Sequence, residues 1–118
     1  MSLSPRTLVE TAVRAAGEKR GDDILVLDIS GLTILSDYFV LVSGRSTTHV
    51  KAIADHIREK LGELGAKAPR SEGYREGLWV LLDYGDVVVH VFTQSERDFY
   101  NLERLWGDAP VVHLPAGL

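Results

Sequence analysis

The hydrophobic pattern is clearest between residues 77 and 106, where two apolar runs flank a short polar segment and a helical pattern follows. The runs span residues 78–82 and 87–91 and are rich in Val and Leu. A Tyr84-Gly85 pair between two β-rich runs is a plausible tight turn. The pattern therefore predicts a β-hairpin closed at Tyr84 and Gly85, with Leu82 opposite Val87.

The predicted hairpin has two unlike faces, because successive side chains of a strand point to opposite sides. One face is aliphatic and is predicted to be core. It consists of Leu78, Val80, Leu82, Val87, Val89 and Val91. The other face pairs Trp79 with His90 and Leu81 with Val88, and it ends at the carboxylates of Asp83 and Asp86. A patch of this kind is covered either by the chain itself or by a partner.

Two longer helices are predicted from apolar positions that recur at three- and four-residue steps. The first begins at Ser4-Pro5, a cap followed by proline, and Gly21 stops it. The second is capped by Ser46 or Thr47 and ends at Gly65. The predicted inner stripes are Leu8, Val9, Ala12, Val13, Ala15 and Ala16 on the first helix, and Val50, Ile53, Ala54, Ile57, Leu61 and Leu64 on the second.

A third helix is predicted after the hairpin, capped by Ser95 and ended by Gly107 and Pro110. Its inner stripe is predicted to be Phe99, Leu102, Leu105 and Trp106. Tyr100 departs from that stripe, so it is predicted to be at least partly exposed, beside Glu103.

Three further strands complete the predicted fold. Apolar runs at residues 24–29 and 37–43 predict buried strands, and residues 67–71 predict a short polar edge strand. The order is then α-β-β-α-β-β-β-α. This alternation predicts an α/β fold in which a mixed β-sheet is flanked by helices, formed by residues 1–118 as a single domain. The order of the strands within the sheet does not follow from the pattern.

Composition narrows the possible functions. The 118 residues are enough for one domain with a core, and the absence of cysteine excludes disulfides, thiolate metal sites and a thiol nucleophile. A net charge of −4 disfavours binding to DNA or RNA, which requires a basic surface, and suits a basic protein partner. No apolar run reaches membrane-spanning length and no signal-peptide pattern is present, so we expect a protein with no membrane association that resides in the cytoplasm, or in an organelle after processing.

The histidines do not form a metal-binding pattern. His49 and His56 lie seven residues apart on one predicted helix, whereas two ligands on a helix prefer a spacing of three or four. We interpret both as solvated helix residues. His90 lies in the middle of a strand and is interpreted as a half-buried histidine with its hydrogen bonds satisfied, rather than as a catalytic base.

The carboxylates give a weak signal for chemistry. Asp83 and Asp86 flank the predicted turn and lack a third ligand, so they are expected to bond the turn backbone rather than a metal. Asp28 and Asp37 form a second acidic possibility at strand ends. The turn at residues 43–46 precedes a helix and could hold a phosphate, but it lacks the P-loop pattern. No cofactor or metal is predicted.

The aromatic side chains favour protein binding. Few basic residues are interleaved with Trp79, Tyr84, Tyr100 and Trp106, whereas base stacking on nucleic acid would need a basic surface around them. Trp106 is assigned to the core by its spacing. An exposed Tyr beside a Trp patch with an acidic rim is typical of a protein-binding surface rather than of an active site.

Four segments carry a family resemblance: DILVLDISGLTILSDYFVLVSG, HVKAIADHI, LWVLLDYGDVVVHVF and DFYNLERLWGDAP. From about Asp22 to Val112 the chain closely resembles the ribosomal silencing factor, or Iojap, family. The resemblance implies a nucleotidyltransferase-like fold without the catalytic carboxylates, and no enzymatic activity. It also implies binding to large-subunit ribosomal protein L-fourteen, which blocks joining to the small subunit when nutrients are short, and a homodimer when the protein is free.

Combining the faces with this resemblance gives a candidate partner-binding surface. It consists of Trp79, Leu81, Tyr84, Asp86, Val88 and His90 on the hairpin, with Asp98, Tyr100 and Glu103 beside it.

Two other classes of function remain open. One is a nucleotidyltransferase-like enzyme or nucleotide-binding protein, which the absence of an Asp-x-Asp pair disfavours, and the other is an RNA-binding module, which the charge disfavours.

Overall fold

Five strands form one mixed sheet in the computed structural model, which describes residues 3–114. They are β1 (Asp22–Asp28), β2 (Tyr38–Gly44), β3 (Arg70–Glu72), β4 (Trp79–Asp83) and β5 (Val87–Thr93). The order across the sheet is β1-β2-β5-β4-β3, with β2 parallel to β5 and the other neighbouring pairs antiparallel. The predicted mixed sheet is confirmed, and β3 is the predicted short polar edge strand.

Two long helices lie on one side of the sheet, α1 (Pro5–Glu18) and α2 (Thr47–Glu63). Their predicted caps are confirmed, because the Ser4 hydroxyl accepts from the Thr7 N–H at 3.1 Å and the Ser46 hydroxyl from the His49 N–H at 3.0 Å. Both predicted stripes are buried except for Leu64, which is 44% exposed. Leu64 follows the last residue of α2, so the helical spacing no longer directs it inward.

The helices pack on an aliphatic sheet surface, here called the helix face. It consists of Val26, Val40, Val42, Val80, Leu82, Val87, Val89 and Val91. All eight are buried, which confirms the predicted core face of the hairpin except at Leu78. Leu78 precedes the first residue of β4 and is 44% exposed.

The hairpin register differs from the predicted one by two residues. Leu82 lies opposite Val89 rather than Val87, because the turn is formed by Gly85 and Asp86. The Tyr84 N–H donates to the Val87 carbonyl at 2.9 Å, and Gly85 has a φ of +89°, which glycine adopts without strain. A shift of two residues keeps every side chain on its face, so the predicted faces are correct although the predicted pairs are wrong.

The region predicted as a third helix is two short helices, α3 (Gln94–Tyr100) and α4 (Leu102–Leu105). Thr93, not Ser95, caps α3. Asn101 has a left-handed conformation, with φ of 47° and ψ of 60°, which ends α3 and redirects the chain. The predicted stripe is therefore split: Leu102 is buried and Trp106 half-buried, whereas Phe99 and Leu105 are 81% and 73% exposed.

The chain after α4 returns to the outer edge of the sheet. The Asp28 N–H donates to the Pro110 carbonyl and the Val112 N–H to the Val26 carbonyl, each at 2.9 Å. This segment covers part of the β1 edge, which would otherwise expose unpaired backbone groups. Residues 115–118 of the predicted tail lie outside the described residues.

We expect Val89→Asp to unfold the domain, because Val89 is fully buried at the centre of the helix face and an unpaired buried charge costs several kcal/mol. Urea denaturation monitored by circular dichroism would measure the loss. The matched control is Val111→Asp, at a side chain that is 45% exposed, with an expected cost of less than about 1 kcal/mol. A cooperatively folded Val89→Asp protein would contradict this assignment of the core.

Candidate protein-docking face

The sheet surface opposite the helix face is rich in aromatic side chains and is here called the aromatic face. It consists of Leu25, Leu27, Phe39, Leu41, Trp79, Leu81, Val88, His90 and Phe92. The structure thus brings together four of the predicted site residues, namely Trp79, Leu81, Val88 and His90. Leu41 and Phe92 are fully buried, whereas Phe39, Trp79, Leu81 and Val88 are half-buried.

The rings of this face contact one another at orientations that aromatic pairs favour. The ring centroids of Phe39 and His90 are 4.7 Å apart in an edge-to-face arrangement, and those of Phe39 and Trp106 are 5.2 Å apart. Tyr100 reaches back from the end of α3, with its ring centroid 4.9 Å from that of Trp79. The contacts connect half-buried rings into one cluster, so the surface is preorganised.

A hydrogen bond holds the orientation of Trp79. The indole Nε1–H donates to Nδ1 of His90 at 3.1 Å. His90 is 4% exposed rather than half-buried, and its Nε2 has no hydrogen-bond partner among the described residues, so its interpretation as a half-buried histidine with satisfied hydrogen bonds is wrong. Burial lowers its pKa from about 6.5 to about 4. The imidazole is therefore neutral near pH 7, and because Nδ1 accepts, its proton lies on Nε2.

A pocket of about 240 Å³ opens on this face. Its walls are mainly apolar and include Phe39, Leu81, Val88 and the ring of His90. Leu35 and Ser36, from the loop between β1 and β2, line it as well, and so do Arg70 and Asp83. Arg70 and Asp83 are paired at 3.7 Å, so their charges offset each other at this pocket.

Large apolar side chains are exposed on the elements next to the aromatic face. Ile34 and Leu35 are 102% and 85% exposed in the loop between β1 and β2. Phe99 and Leu105, on the two short helices, are also mostly exposed. Large exposed apolar surface is typical of sites that bind another protein.

Tyr84 does not lie on the aromatic face, contrary to the predicted surface. Its side chain packs against the core under the helices, and burial raises its pKa to about 12. The hydroxyl is buried without a hydrogen-bond partner among the described residues. The sequence predicts Tyr84 as a turn residue of the hairpin surface, but the observed turn begins one residue later, so Tyr84 belongs to the end of the ladder.

The three predicted acidic residues have different surroundings. Asp86 is exposed at the tip of the hairpin, and Asp98 is exposed on α3, where the Gln94 side chain donates to it at 2.8 Å. Glu103 is instead engaged within the protein, because its carboxylate accepts from Nε of Arg97 at 2.8 Å. Asp86 and Asp98 are therefore free to meet a basic partner, whereas Glu103 is committed to a structural ion pair.

Arg97 is a buried anchoring residue beside the aromatic face that the sequence did not single out. It is 5% exposed, and its Nη1 donates to the Asp23 carbonyl at 2.6 Å and to the Ser43 hydroxyl at 2.9 Å. Asp23 has a positive φ of 48° beside an irregularity in the β1 ladder, which leaves its carbonyl outside the regular pairing. Arg97 thus fastens α3 and α4 to the sheet. In sequence it is one charged residue among others on a polar helix, which gave no signal of burial.

The histidines of α2 have structural bonds, contrary to their interpretation as solvated residues. Nδ1 of His49 accepts from the Arg45 N–H at 2.9 Å, and its Nε2–H donates to the Lys19 carbonyl at 2.7 Å. Nε2 of His56 is bonded to the Glu18 carboxylate at 2.7 Å. Both side chains connect α2 to the end of α1, a partnership that spacing within one helix cannot reveal.

The other chemical candidates are engaged locally. The Asp83 carboxylate accepts from the Gly85 N–H at 2.8 Å, as expected for a turn aspartate. The Asp28 carboxylate accepts from the Ser30 N–H at 3.0 Å. In the predicted phosphate turn the Arg45 side chain pairs with Asp22 at 3.2 Å. Across residues 3–114, no group of three or more His, Asp or Glu side chains is close enough to hold a metal ion. Within the same range, no helix combines the length and apolarity needed to span a bilayer.

We expect the stability of the protein to fall between pH 6.5 and pH 4 because of His90. The unfolded chain binds this proton near pH 6.5 and the folded chain only near pH 4, so the contribution is constant above pH 6.5 and lost as the pH falls. The loss is about 3 kcal/mol at pH 4. The measurement is the urea midpoint as a function of pH.

The matched variants for this experiment are His90→Asn and His113→Asn. Asn at position 90 does not titrate, so the decline below pH 6.5 should be shallower than in the wild type. His113→Asn makes the same replacement at an exposed histidine and serves as the control for the substitution itself. Parallel curves for the wild type and His90→Asn would contradict the predicted role of His90.

Sequence comparison finds a family model and several relatives that match most of the chain. The family model described as "Ribosomal silencing factor during starvation" (RsfS) matches residues 2–117. The ribosomal silencing factor RsfS of Bacillus subtilis is 44% identical over 116 residues, covering 98% of both chains. The chloroplast protein Iojap of Zea mays is 36% identical over 102 residues, which are 86% of this chain and 44% of that protein.

Two crystal structures share the fold. A protein of Chromobacterium violaceum superposes with a TM-score of 0.86 at 38% identity, over 97% of this chain and 92% of the other. A protein of Bacillus halodurans superposes with a TM-score of 0.82 at 40% identity, over 92% of this chain and 99% of the other. By sequence and by fold, the chain belongs to the RsfS family of ribosomal silencing factors, which are not enzymes.

Proposed function

We propose that this protein binds the large ribosomal subunit through its aromatic face and thereby blocks joining to the small subunit. The observation that carries the proposal is a preorganised aromatic surface flanked by exposed apolar side chains, in a member of a family of ribosomal silencing factors. The mechanism is steric: a protein that occupies the joining surface of one subunit excludes the other, and no covalent step is needed.

The proposed contact on the subunit is ribosomal protein L-fourteen. Trp79, Leu81 and Val88 would bury apolar area against it, and Tyr100 would extend that area along α3. A preformed surface loses little side-chain entropy on binding, which favours affinity. Asp86 and Asp98 are exposed and would meet basic side chains of the ribosomal protein, consistent with a net charge of −4. Silencing under nutrient limitation, in the cytoplasm where subunits join, is part of the same proposal.

We expect Trp79→Ala and Tyr100→Ala each to weaken binding by about 2 kcal/mol or more, because interface energy concentrates in central aromatic anchors. The measurement is subunit joining in a sucrose gradient, with protein added to separated subunits. The matched control is Tyr84→Phe, which removes a hydroxyl on the other side of the sheet and should leave activity unchanged. Glu59→Ala, at an exposed position on α2, is a second control.

Two results would separate the parts of this proposal. If wild-type protein leaves subunit joining intact, the proposed function is wrong. If it blocks joining and the Trp79 and Tyr100 variants block it equally well, the function stands and the assignment to the aromatic face is wrong. Thermal unfolding of each variant shows whether a loss of activity reflects a loss of fold.

The free protein is proposed to form a homodimer through the same face. Two copies would cover each other's half-buried rings, so dimerisation and ribosome binding would compete. Light scattering at tens of micromolar, an order-of-magnitude choice suited to weak interfaces, should show a dimer. Trp79→Ala should shift it towards monomer, and Tyr84→Phe should not. A wild-type monomer at this concentration would contradict the proposed dimer.

A further inference from the structure

Two buried polar atoms at the pocket of the aromatic face have no hydrogen-bond partner among the described residues. They are Nε2 of His90 and Oγ of Ser36, and both residues line the pocket. His90 and Ser36 are 4% and 7% exposed. A buried donor without a partner costs free energy and is uncommon in folded proteins. Two such donors at one small pocket therefore call for an explanation.

Both atoms can donate a hydrogen bond. Nδ1 of His90 accepts from the Trp79 indole, so the ring proton lies on Nε2. The Nε2–H bond therefore points away from Trp79. Trp79 is not among the residues that line the pocket, whereas His90 is, which agrees with Nε2 facing the pocket. The Ser36 hydroxyl can rotate about its C–O bond, so it is also able to donate to a group in the pocket that both residues line.

From this arrangement we infer that the pocket receives one neutral oxygen acceptor of the docked partner, held by His90 Nε2–H and Ser36 Oγ–H. The acceptor would be a side-chain carboxamide or hydroxyl, or a peptide carbonyl, carried on a short apolar stem. This inference rests on the proposed function, because the partner is the large ribosomal subunit. It adds hydrogen bonds to a neutral group of the partner, on a surface whose other proposed contacts are apolar or ionic.

A neutral acceptor fits the pocket better than a carboxylate. The walls are largely apolar, and the two charged residues that line the pocket, Arg70 and Asp83, are paired with each other. His90 is neutral near pH 7 because it is buried. A carboxylate would lose its hydration there without meeting a free positive charge, whereas a neutral oxygen needs only a donor.

Access to the two donors requires a small movement of the loop side chains. Leu35 lines the same pocket and is 85% exposed, so little packing holds its side chain in place. Exposed side chains change rotamer within nanoseconds. Both donor atoms are closed to solvent, so a partner group reaches them only as side chains that line the pocket move, and Leu35 is one lining side chain that is free to do so.

Ser36→Ala separates this role from a structural one, because the two roles predict opposite effects on stability. If the hydroxyl lacks a partner in the free protein, its removal should leave the urea midpoint unchanged or raise it. Binding to isolated large subunits should nevertheless weaken about tenfold, as expected for a lost hydrogen bond. The matched control is Ser30→Ala, an exposed serine of the same loop, which should bind as tightly as wild type.

His90→Asn tests the second donor. The Asn oxygen can replace Nδ1 as the acceptor for Trp79, but no group remains at the position of Nε2. Binding should again weaken about tenfold. If one acceptor takes both hydrogen bonds, the double variant with Ser36→Ala should lose less affinity than the product of the two single losses.

The outcomes distinguish this inference from the proposed function. Wild-type protein that fails to bind large subunits would refute both. Wild-type binding together with undiminished binding by Ser36→Ala would refute the inference alone. A Ser36→Ala protein with a clearly lower urea midpoint would also refute it, since the hydroxyl would then be bonded within the free protein.

Discussion

Seven residue pairs join β2 to β5 in parallel, and this pairing is the constraint on which the rest of the structure depends. It places two apolar strands at the centre of the sheet, so both faces of each must be covered. Because parallel neighbours need a crossover, the connection from β2 to β5 carries α2 over one face, where it packs with α1. That face is closed by two long helices. Within residues 3–114 the other face is covered by the short helices α3 and α4, the segment that follows them and the loop between β1 and β2.

The unequal covering of the two faces explains where the candidate site lies. On the helix face, small branched side chains fit closely beneath α1 and α2. On the aromatic face, large rings fill the space that short helices leave, and several remain half-buried. Arg97 holds those helices in place through Asp23, Ser43 and Glu103, which keeps Tyr100 within reach of Trp79. The same anchoring that stabilises the domain therefore shapes the surface proposed for docking.

Sequence reasoning succeeded where the pattern is local and failed where a distant contact decides. The alternation of β4 and β5 identified both faces correctly, although the turn lay one residue further along the chain and changed every cross-strand pair. The single predicted third helix failed at Asn101, whose left-handed backbone no periodicity reveals. Burial of Arg97 depends on a carbonyl 74 positions away, and the bonds of His49 and His56 depend on the end of α1.

The sequence by itself determined the strands, the two long helices with their serine caps, the aliphatic core face and the family, because each depends on residues close together in the chain or on a run of matching positions. Only the tertiary structure decided the strand order, the burial of His90 and Ser36 at one pocket, and the separation of Tyr84 from the other candidate residues. These features depend on which surfaces meet when the sheet closes against its helices. Alternation along a strand indicates that its two faces differ. The packing of the whole chain decides which of the two faces remains open.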